Sequence, residues 1–190
     1  VLPEVVVPLA RTYPTLLLVL DGMSAGVATE ILAQAPLEHG LVECLLPGAS
    51  ERTPALAVLP TVTEFSRASL LSGRLASGQQ EYERKAFTEF AWAHSLGEVA
   101  LFHKKGLDTS RQGFELADDV RLAIADTDRY RLVGCVLNTI DDALDRTDPG
   151  RTDWTADTVK HLAPLLRAAE SAGRLVILTS DHGHVVERRR

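Results

Sequence analysis

The sequence predicts an α/β fold, a three-layer α/β/α sandwich around a mostly parallel central sheet. Three uncharged aliphatic runs carry this prediction, at residues 16–20, 132–137 and 175–178. Apolar runs of this length are typical of strands that are buried on both faces of a parallel sheet. Helical patterns separate the runs, as parallel connections require, so the carboxyl ends of the strands should meet at one edge. We therefore expect all three runs to be neighbouring parallel strands at the centre of the sheet.

The composition is that of a globular domain with one core. The chain has 190 residues, of which 45% are hydrophobic, and this is enough to bury a sizeable core. A formal net charge of −6 argues against a broad nucleic-acid-binding face. The two cysteines lie in apolar runs and predict neither a disulfide framework nor a cysteine-based zinc site. Because no leader or membrane-spanning run is visible, the expected location is the cytoplasm, with no membrane partner.

Local signals place the other elements in chain order. Residues 1–14 contain three prolines and predict an extended lead-in, ahead of a domain that covers residues 15–190. Ser24 is expected to cap a helix that ends near residue 35, before a short strand at residues 41–46. Later in the chain we expect helices at residues 81–96, anchored by its aromatic side chains, at 114–125 and at 154–172, and a strand at 99–105.

A helix beginning near residue 61 carries two candidate threonines. Thr61 and Glu64 stand in capping-box relation, and Gly73 can end the helix. A hydroxyl in the first turn lies near backbone N–H groups and the positive end of the helix dipole, which would favour an oxyanion and activate a nucleophile. The alternative is that Thr61 and Thr63 only cap the helix.

Metal-binding residue types follow each buried run. Asp21 comes directly after the first run, Asp141 and Asp142 soon after the second, and Asp181 and His182 after the third. On its own, Asp21 could equally cap the next helix, but the recurrence of the pattern favours convergence of these side chains at one edge of the sheet. So many acids would repel one another unless a cation lay between them. Zinc or another divalent ion suits these ligands, and two such ions about 4 Å apart can clamp a phosphoryl group. The helix-start threonine would then be the nucleophile.

Four blocks of sequence resemble the alkaline phosphatase superfamily. They are Asp-Gly-Met-Ser from residue 21, Pro-Thr-Val-Thr from residue 60 with its following Gly73, the Asp cluster, and Ser-Asp-His-Gly from residue 180. This superfamily includes nucleotide pyrophosphatase/phosphodiesterases and cofactor-independent phosphoglycerate mutases. Within it, four stretches resemble the PglZ domain of the BREX and Pgl bacteriophage-defence systems, at residues 59–73, 102–105, 137–142 and 179–184. The resemblance implies an alkaline phosphatase-like sandwich.

The resemblance also implies roles for particular residues. Asp21, Thr63, Asp181 and His182 would bind one of two zinc ions, or other divalent cations. Thr63 would also be the nucleophile, because Gly73 lies ten residues after it, as in the phosphodiesterase motif. Removal of Asp21 is then predicted to release metal and, by relieving carboxylate repulsion, to leave the metal-free protein no less stable.

A second metal site would begin at Asp141, and here the chain departs from the phosphodiesterase pattern. Asp145 stands where those enzymes have histidine, and their final ligand histidine lies well beyond Asp-His-Gly, whereas this chain ends soon after it. We favour the interpretation that the chain is the N-terminal portion of its domain; the alternative is that His184 substitutes. Asp142 and Asp145 are further possible ligands. Lys104 is a possible substrate contact, although an exposed strand end is the favoured interpretation there.

The resulting functional prediction is a metal-dependent phosphoryl-transfer domain, a phosphodiesterase or phosphatase-like hydrolase of a phage-defence system. Its partners would be other defence subunits such as a methyltransferase, and its substrate a phosphate ester or a nucleic acid. Two alternatives stay open. One is a catalytically reduced PglZ-like scaffold that binds other defence subunits, and the other is a small-molecule enzyme of the mutase type. Zinc content and hydrolysis of bis-para-nitrophenyl phosphate would separate the enzyme from the scaffold.

Overall fold

A parallel sheet lies at the centre of the molecule. The structure is a computed structural model that describes residues 1–109, 115–144 and 153–185. Its strands are β1 (Thr15–Leu20), β2 (Val99–Phe102), β3 (Leu132–Leu137) and β4 (Leu175–Thr179). They are hydrogen-bonded in the order β2-β3-β1-β4, and each pairing is parallel, with Thr15 opposite both Leu132 and Leu175. The prediction that the three aliphatic runs are neighbouring parallel strands is therefore confirmed.

The position of β1 explains its uninterrupted apolar sequence. β1 and β3 are buried along their whole length, because each has a strand on both sides and helices on both faces. Leu16, Leu18 and Leu20 point into one hydrophobic core, while Leu17 and Val19 point into the other. Since successive side chains of a strand face opposite ways, a strand between two cores needs apolar residues at every position.

Helices cover the two faces of the sheet and complete the predicted three-layer sandwich. One core receives side chains from α2, α6 and α8, and the other receives them from the N-terminal helices, α3 and α4. Among the described residues, no helix has the length and apolar character needed to cross a bilayer. The helices are α1 (Val7–Thr12), α2 (Ala25–His39), α3 (Thr63–Ser72), α4 (Gln80–Ala93), α5 (Lys104–Leu107), α6 (Asp118–Ala125), α7 (Thr139–Leu144) and α8 (Leu162–Ser171), with a π-helical segment at Leu2–Val6.

The N-terminal segment is helical, so the predicted extended lead-in is wrong. Pro3 and Pro8 lie in the first turns of the π-helical segment and of α1, where the missing N–H of proline costs no intrahelical hydrogen bond. Leu2 and Val6 are buried in the same core as α3 and α4. Prolines that suggested an extended chain therefore mark helix starts.

Two other local predictions are wrong. Residues 41–46 form no strand: Leu41 packs against the hydrophobic core, but Val42 is 82% exposed and Leu45 is 45% exposed. Cys44 in this loop is also exposed, whereas Cys135 is buried as expected. The predicted helix at 154–172 is helical only from Leu162, so Pro164 lies in its first turn and causes no bend.

The other predicted helices agree better with the structure. The helix expected at 81–96 is α4, where Phe87 and Phe90 are buried anchors but Trp92 is 68% exposed. The helix expected at 114–125 is α6, which begins at Asp118, and residue 114 lies outside the described residues. Tertiary contacts thus decide which apolar side chains of an amphipathic helix become buried.

The end of α3 supplies a test of packing. Gly73 terminates this helix as predicted, with a φ of 66°, and a Cβ atom added there would lie 2.5 Å from Phe90 Cε2. Gly97 has a similar φ of 72°, but its added Cβ would meet no atom within 4 Å. Both alanine variants should pay the cost of left-handed backbone, about 1–2 kcal/mol. Gly73→Ala should lose about 1–3 kcal/mol more free energy of unfolding, measured by urea denaturation, because it also overpacks against Phe90. Equal losses of free energy of unfolding in Gly73→Ala and Gly97→Ala would show that the Phe90 ring moves aside without cost.

Candidate metal centre

Asp21 continues β1 into the carboxyl edge of the sheet. Its backbone N–H donates to the Leu137 carbonyl at 2.8 Å, which extends the pairing with β3, and its side chain is fully buried. Gly22 then turns the chain with a φ of 75°. Ser24 caps α2 as predicted, with its Oγ accepting from the Val27 N–H at 3.3 Å. Asp21 is therefore not the cap of α2.

The end of β4 is tied to the same turn. Ser180 Oγ donates to the Leu20 carbonyl at 2.7 Å and accepts from the Met23 N–H at 3.0 Å. Asp181 Oδ1 accepts from the Gly22 N–H at 3.4 Å and from the His182 N–H at 3.0 Å. These bonds place the side chains after β4 directly beside Asp21.

Asp21, Asp181 and His182 form a compact group of potential metal ligands. One ligand atom from each lies within 4.8 Å of the others, and within the described ranges this is the one such group of three or more histidine, cysteine or acidic side chains. His182 Nδ1 lies 3.1 Å from Asp181 Oδ2 and 3.7 Å from Asp21 Oδ1. Both Asp181 Oδ2 and His182 Nδ1 are buried without a partner in hydrogen-bond geometry. Because unsatisfied buried polar atoms are costly, two of them in one acidic pocket fit a bound cation.

The raised pKa of Asp21 also favours a bound cation in this group. Burial raises the pKa of Asp21 to about 8, and the charge of Asp181 adds to the rise. Asp141 contributes in the same direction, whereas Arg67 opposes it without cancelling it. A divalent cation bound beside these carboxyl groups would favour their ionised forms and so oppose the cost of burying them.

The raised pKa of Asp21 should make the metal-free protein less stable as pH rises. The usual value is 3.8 and the folded value about 8, so between them the folded protein holds a proton that the unfolded chain has released. The stabilisation from this group is complete below about pH 4 and is lost by about pH 8, with a slope approaching 1.4 kcal/mol per pH unit. With chelator present, melting temperatures should fall between about pH 5 and pH 8. If the melting temperature of Asp21→Asn fell equally with pH, the pH dependence would come from other titratable groups.

Thr63 is the first residue of α3 and lies beside this group. Its Oγ1 donates to Asp21 Oδ1 at 3.4 Å. The helix begins one residue later than the capping box predicted, with Val62 at the N-cap and no side-chain cap. Thr61 is exposed and caps nothing, so its predicted capping role is wrong. Of the two threonines, Thr63 is thus the one whose hydroxyl adjoins the candidate ligands.

The remaining predicted site residues lie around this centre. Asp141 lies close to the turn after β1, since its Cα would be 3.6 Å from a Cβ added at Gly22. Its negative charge raises the pKa of Asp21. His184 Nδ1 donates to the Gly22 carbonyl at 2.6 Å. In the described part of the chain, neither Asp141 nor His184 belongs to the group of three. Their roles as ligands stay predictions.

Lys104 and Asp142 form an ion pair with each other. Lys104 is not simply an exposed strand end, because it begins α5 and contacts an acid of the carboxyl edge. Asp145, the further possible ligand, lies outside the described residues.

Sequence reasoning missed two residues that contact Asp21. Arg67 Nη1 donates to Asp21 Oδ2 at 2.7 Å, and Asn138 Nδ2 donates to the same oxygen at 2.6 Å. A signal existed for each. Arg67 lies four residues after Thr63 and so shares its helix face, and Asn138 directly follows β3.

Comparison with known proteins identifies the family. No curated protein gave a significant match. A family model described as the BREX system PglZ alkaline phosphatase-like domain matches residues 1–190, which include the N-terminal helices. Alkaline phosphatase-like proteins generally bind divalent metals, which agrees with the group formed by Asp21, Asp181 and His182. The parallel sheet, the ligand group at its carboxyl edge and the match along the whole chain lead to one conclusion: this chain belongs to the family of BREX system PglZ alkaline phosphatase-like domains.

Proposed function

We propose that this domain is a metal-dependent phosphodiesterase or phosphatase that acts in a bacteriophage-defence system. The observation that carries the proposal is the position of Thr63 Oγ1, 3.4 Å from Asp21 Oδ1, at the edge of a buried ligand group with two unpartnered polar atoms. A candidate nucleophile, a candidate metal-ligand group and a helix N-terminus therefore lie in one small region, and this arrangement is suited to phosphoryl transfer.

The metal would be held by Asp21, Asp181 and His182, with Thr63 as a further ligand. Zinc or another divalent ion bound there would supply a Lewis acid that stabilises charge on phosphoryl oxygens. A second ion, headed by Asp141 and with Asp142 or His184 as candidate ligands, is part of the same proposal.

Thr63 would be the nucleophile. Its Oγ1 would form a bond to phosphorus as the bond from phosphorus to the leaving alcohol breaks, and the proton that the hydroxyl loses would pass through solvent to the leaving alcohol. The N–H groups of the first turn of α3 would stabilise the negative charge that develops beside them. Water would then hydrolyse the phosphothreonine, releasing phosphate or a monoester and restoring the hydroxyl.

A cavity next to this centre offers room for part of the substrate. It has a volume of about 180 Å³, and its lining includes Asn138, Lys104 and Asp142. An anionic group that entered it could compete with Asp142 for the ammonium group of Lys104. The cavity thus favours a negatively charged substrate such as a phosphate diester, and it supports Lys104 as a substrate contact.

The test is hydrolysis of bis-para-nitrophenyl phosphate by the complete natural protein. The protein is first stripped with chelator and then reloaded with zinc, and metal content is measured beside the rate. We expect turnover to disappear with the metal and to return on reloading, with Asp181→Asn inactive under both conditions. A zinc-loaded wild type that hydrolyses neither this diester nor para-nitrophenyl phosphate would reject the enzymatic proposal.

The scaffold is the second candidate, and exposed apolar side chains favour it. In the stretch that precedes α3, Leu56 is 98% exposed and Leu59 is 86% exposed. Membership of the BREX family suggests other subunits of the system as partners, and apolar side chains in solvent suit such contacts. Metal binding without turnover would favour this candidate over the enzyme.

A further inference from the structure

A buried row of charged and polar side chains leads away from the candidate metal centre. It starts at Asp21 after β1, continues through Arg67 on α3 and Glu83 on α4, and ends at His103 after β2. All four side chains are buried, and Arg67 is the most exposed at 7%. Arg67 Nη1 donates to Asp21 at 2.7 Å, and its Nε donates to Glu83 Oε1 at 3.0 Å. The other oxygen of Glu83 accepts from His103 Nε2 at 2.5 Å.

Stability alone explains such a row poorly. Burying ionised groups costs several kcal/mol each, and well-packed apolar replacements of buried ion pairs are often as stable or more so. The row also leaves His103 Nδ1 buried without a hydrogen-bond partner, which adds to the cost. A benefit other than stability would account for the arrangement.

The two oxygens of Asp21 show what that benefit could be. Oδ2 accepts hydrogen bonds from both Arg67 at 2.7 Å and Asn138 at 2.6 Å. Oδ1 instead faces the candidate metal centre, 3.4 Å from Thr63 Oγ1 and 3.7 Å from His182 Nδ1. Because the donors hold one oxygen, the carboxylate cannot rotate to exchange its two oxygens without breaking charged hydrogen bonds.

We propose that Arg67 is a positioning residue for the metal centre. Glu83 orients the guanidinium of Arg67 by accepting a hydrogen bond from its Nε. Arg67 in turn donates from Nη1 to Asp21 Oδ2, and this leaves Asp21 Oδ1 facing the cation. The inference rests on the proposed function in one respect, which is that the cation binds at Asp21. A planar guanidinium can reach both carboxylates in fixed directions, whereas a lysine ammonium offers one centre of charge and cannot bridge them in the same way. His103 supports the row from its far end by fixing Glu83.

The structure provides a matched control in a second buried arginine. Arg174 lies just before β4, at the amino end of the sheet and therefore opposite the candidate metal centre. Its Nε donates to the Ile124 carbonyl at 2.6 Å, and its Nη2 donates to the Ala123 carbonyl at 3.0 Å. Replacing it disturbs a buried guanidinium without touching the row.

The experiment measures zinc affinity and metal-free melting temperature for the complete natural protein and four variants, one of which, Asp181→Asn, tests the metal centre itself. Residues that orient metal ligands typically change metal affinity by 10- to 100-fold. We expect Arg67→Lys to weaken zinc binding by about 10- to 100-fold, and Glu83→Gln, which keeps its shape and touches no proposed ligand, to weaken it by about 10-fold. Arg174→Lys should lower the melting temperature and leave zinc affinity unchanged.

The outcomes separate the inference from the function on which it rests. If wild type binds zinc and Asp181→Asn does not, but Arg67→Lys and Glu83→Gln bind it normally, the positioning role is rejected while the metal centre stands. Tighter binding by Arg67→Lys would also reject it, because Arg67 would then compete with the cation. The positioning role is likewise rejected if Arg174→Lys loses as much affinity as Arg67→Lys, since affinity would merely follow stability. A wild type that binds neither zinc nor another divalent cation rejects both proposals.

Discussion

Asp21→Asn should abolish divalent-metal binding at the carboxyl edge of the sheet. The donors Arg67 and Asn138 both require an acceptor at the Oδ2 position, so the amide oxygen of the new asparagine should take that place. Its NH2 group would then point where Oδ1 now faces Thr63 and His182, and an amide donor cannot bind a cation. We expect zinc affinity to fall by more than about 100-fold, the upper end of the loss seen when only a supporting residue is changed.

Calorimetry on stripped protein titrated with zinc provides the measurement. Asp118→Asn is a useful control, because it removes an acid that is paired with Arg121 and belongs to neither of the proposed ion sites. If the two asparagine variants lost affinity equally, general negative charge rather than ligation by Asp21 would explain the binding. Retention of full metal stoichiometry and wild-type affinity by Asp21→Asn would remove Asp21 from the ligand set.

The structure also changes what is expected of Asp21→Ala. Relief of repulsion with Asp181 suggested that the metal-free variant would be no less stable. Arg67 and Asn138 reverse this expectation, because alanine would leave the buried donor of Arg67 and the partly buried donor of Asn138 without Asp21 as acceptor. Removing one partner of a buried ion pair typically costs about 3–5 kcal/mol. Asparagine is therefore the substitution that separates metal binding from folding.

Thr63→Ala should retain the fold but lose turnover, even when its zinc content is matched to that of the wild type. The side chain of Thr63 caps nothing, so its removal should leave α3 intact. Loss of a positioned nucleophile should lower the rate by roughly 1,000-fold or more, because water lacks both the attachment and the orientation of the hydroxyl. Thr63→Ser, which keeps the hydroxyl, should retain part of the activity. The rate is measured with bis-para-nitrophenyl phosphate at matched zinc content.

Thr61→Ala is the matched control for this experiment. Thr61 is the same residue type two positions earlier, is exposed, and makes no cap. Its substitution should change the free energy of unfolding by less than about 0.5 kcal/mol and leave the rate unchanged. Equal rates for wild type and Thr63→Ala would remove Thr63 from the mechanism and with it the strongest support for an enzyme.

The centre of the fold could be predicted from local sequence because strand burial leaves a local signature. A strand between two cores must be apolar on both sides, so β1 and β3 were visible as unbroken aliphatic runs. Parallel topology then requires the residues after these strands to meet at one edge. That rule was enough to predict that Asp21, Asp181 and His182 lie together. Local signals misplaced the start of the helix near Thr61, and at residues 1–14 they predicted an extended chain where the structure has helical segments.

The surroundings of Asp21 carried no comparable local signature. Its contacts come from residues that are 46 and 117 positions away. Glu83 joins the row from α4, whose sequence shows only an amphipathic pattern, and His103 joins it from the position after β2. Such pairings depend on how α3 and α4 pack over the sheet, because this packing determines which rotamer each side chain adopts. The sequence alone therefore predicts which residue types lie at the metal centre. Only the tertiary structure decides which oxygen of Asp21 faces the cation and which arginine holds the carboxylate in that orientation, because both depend on long-range contacts.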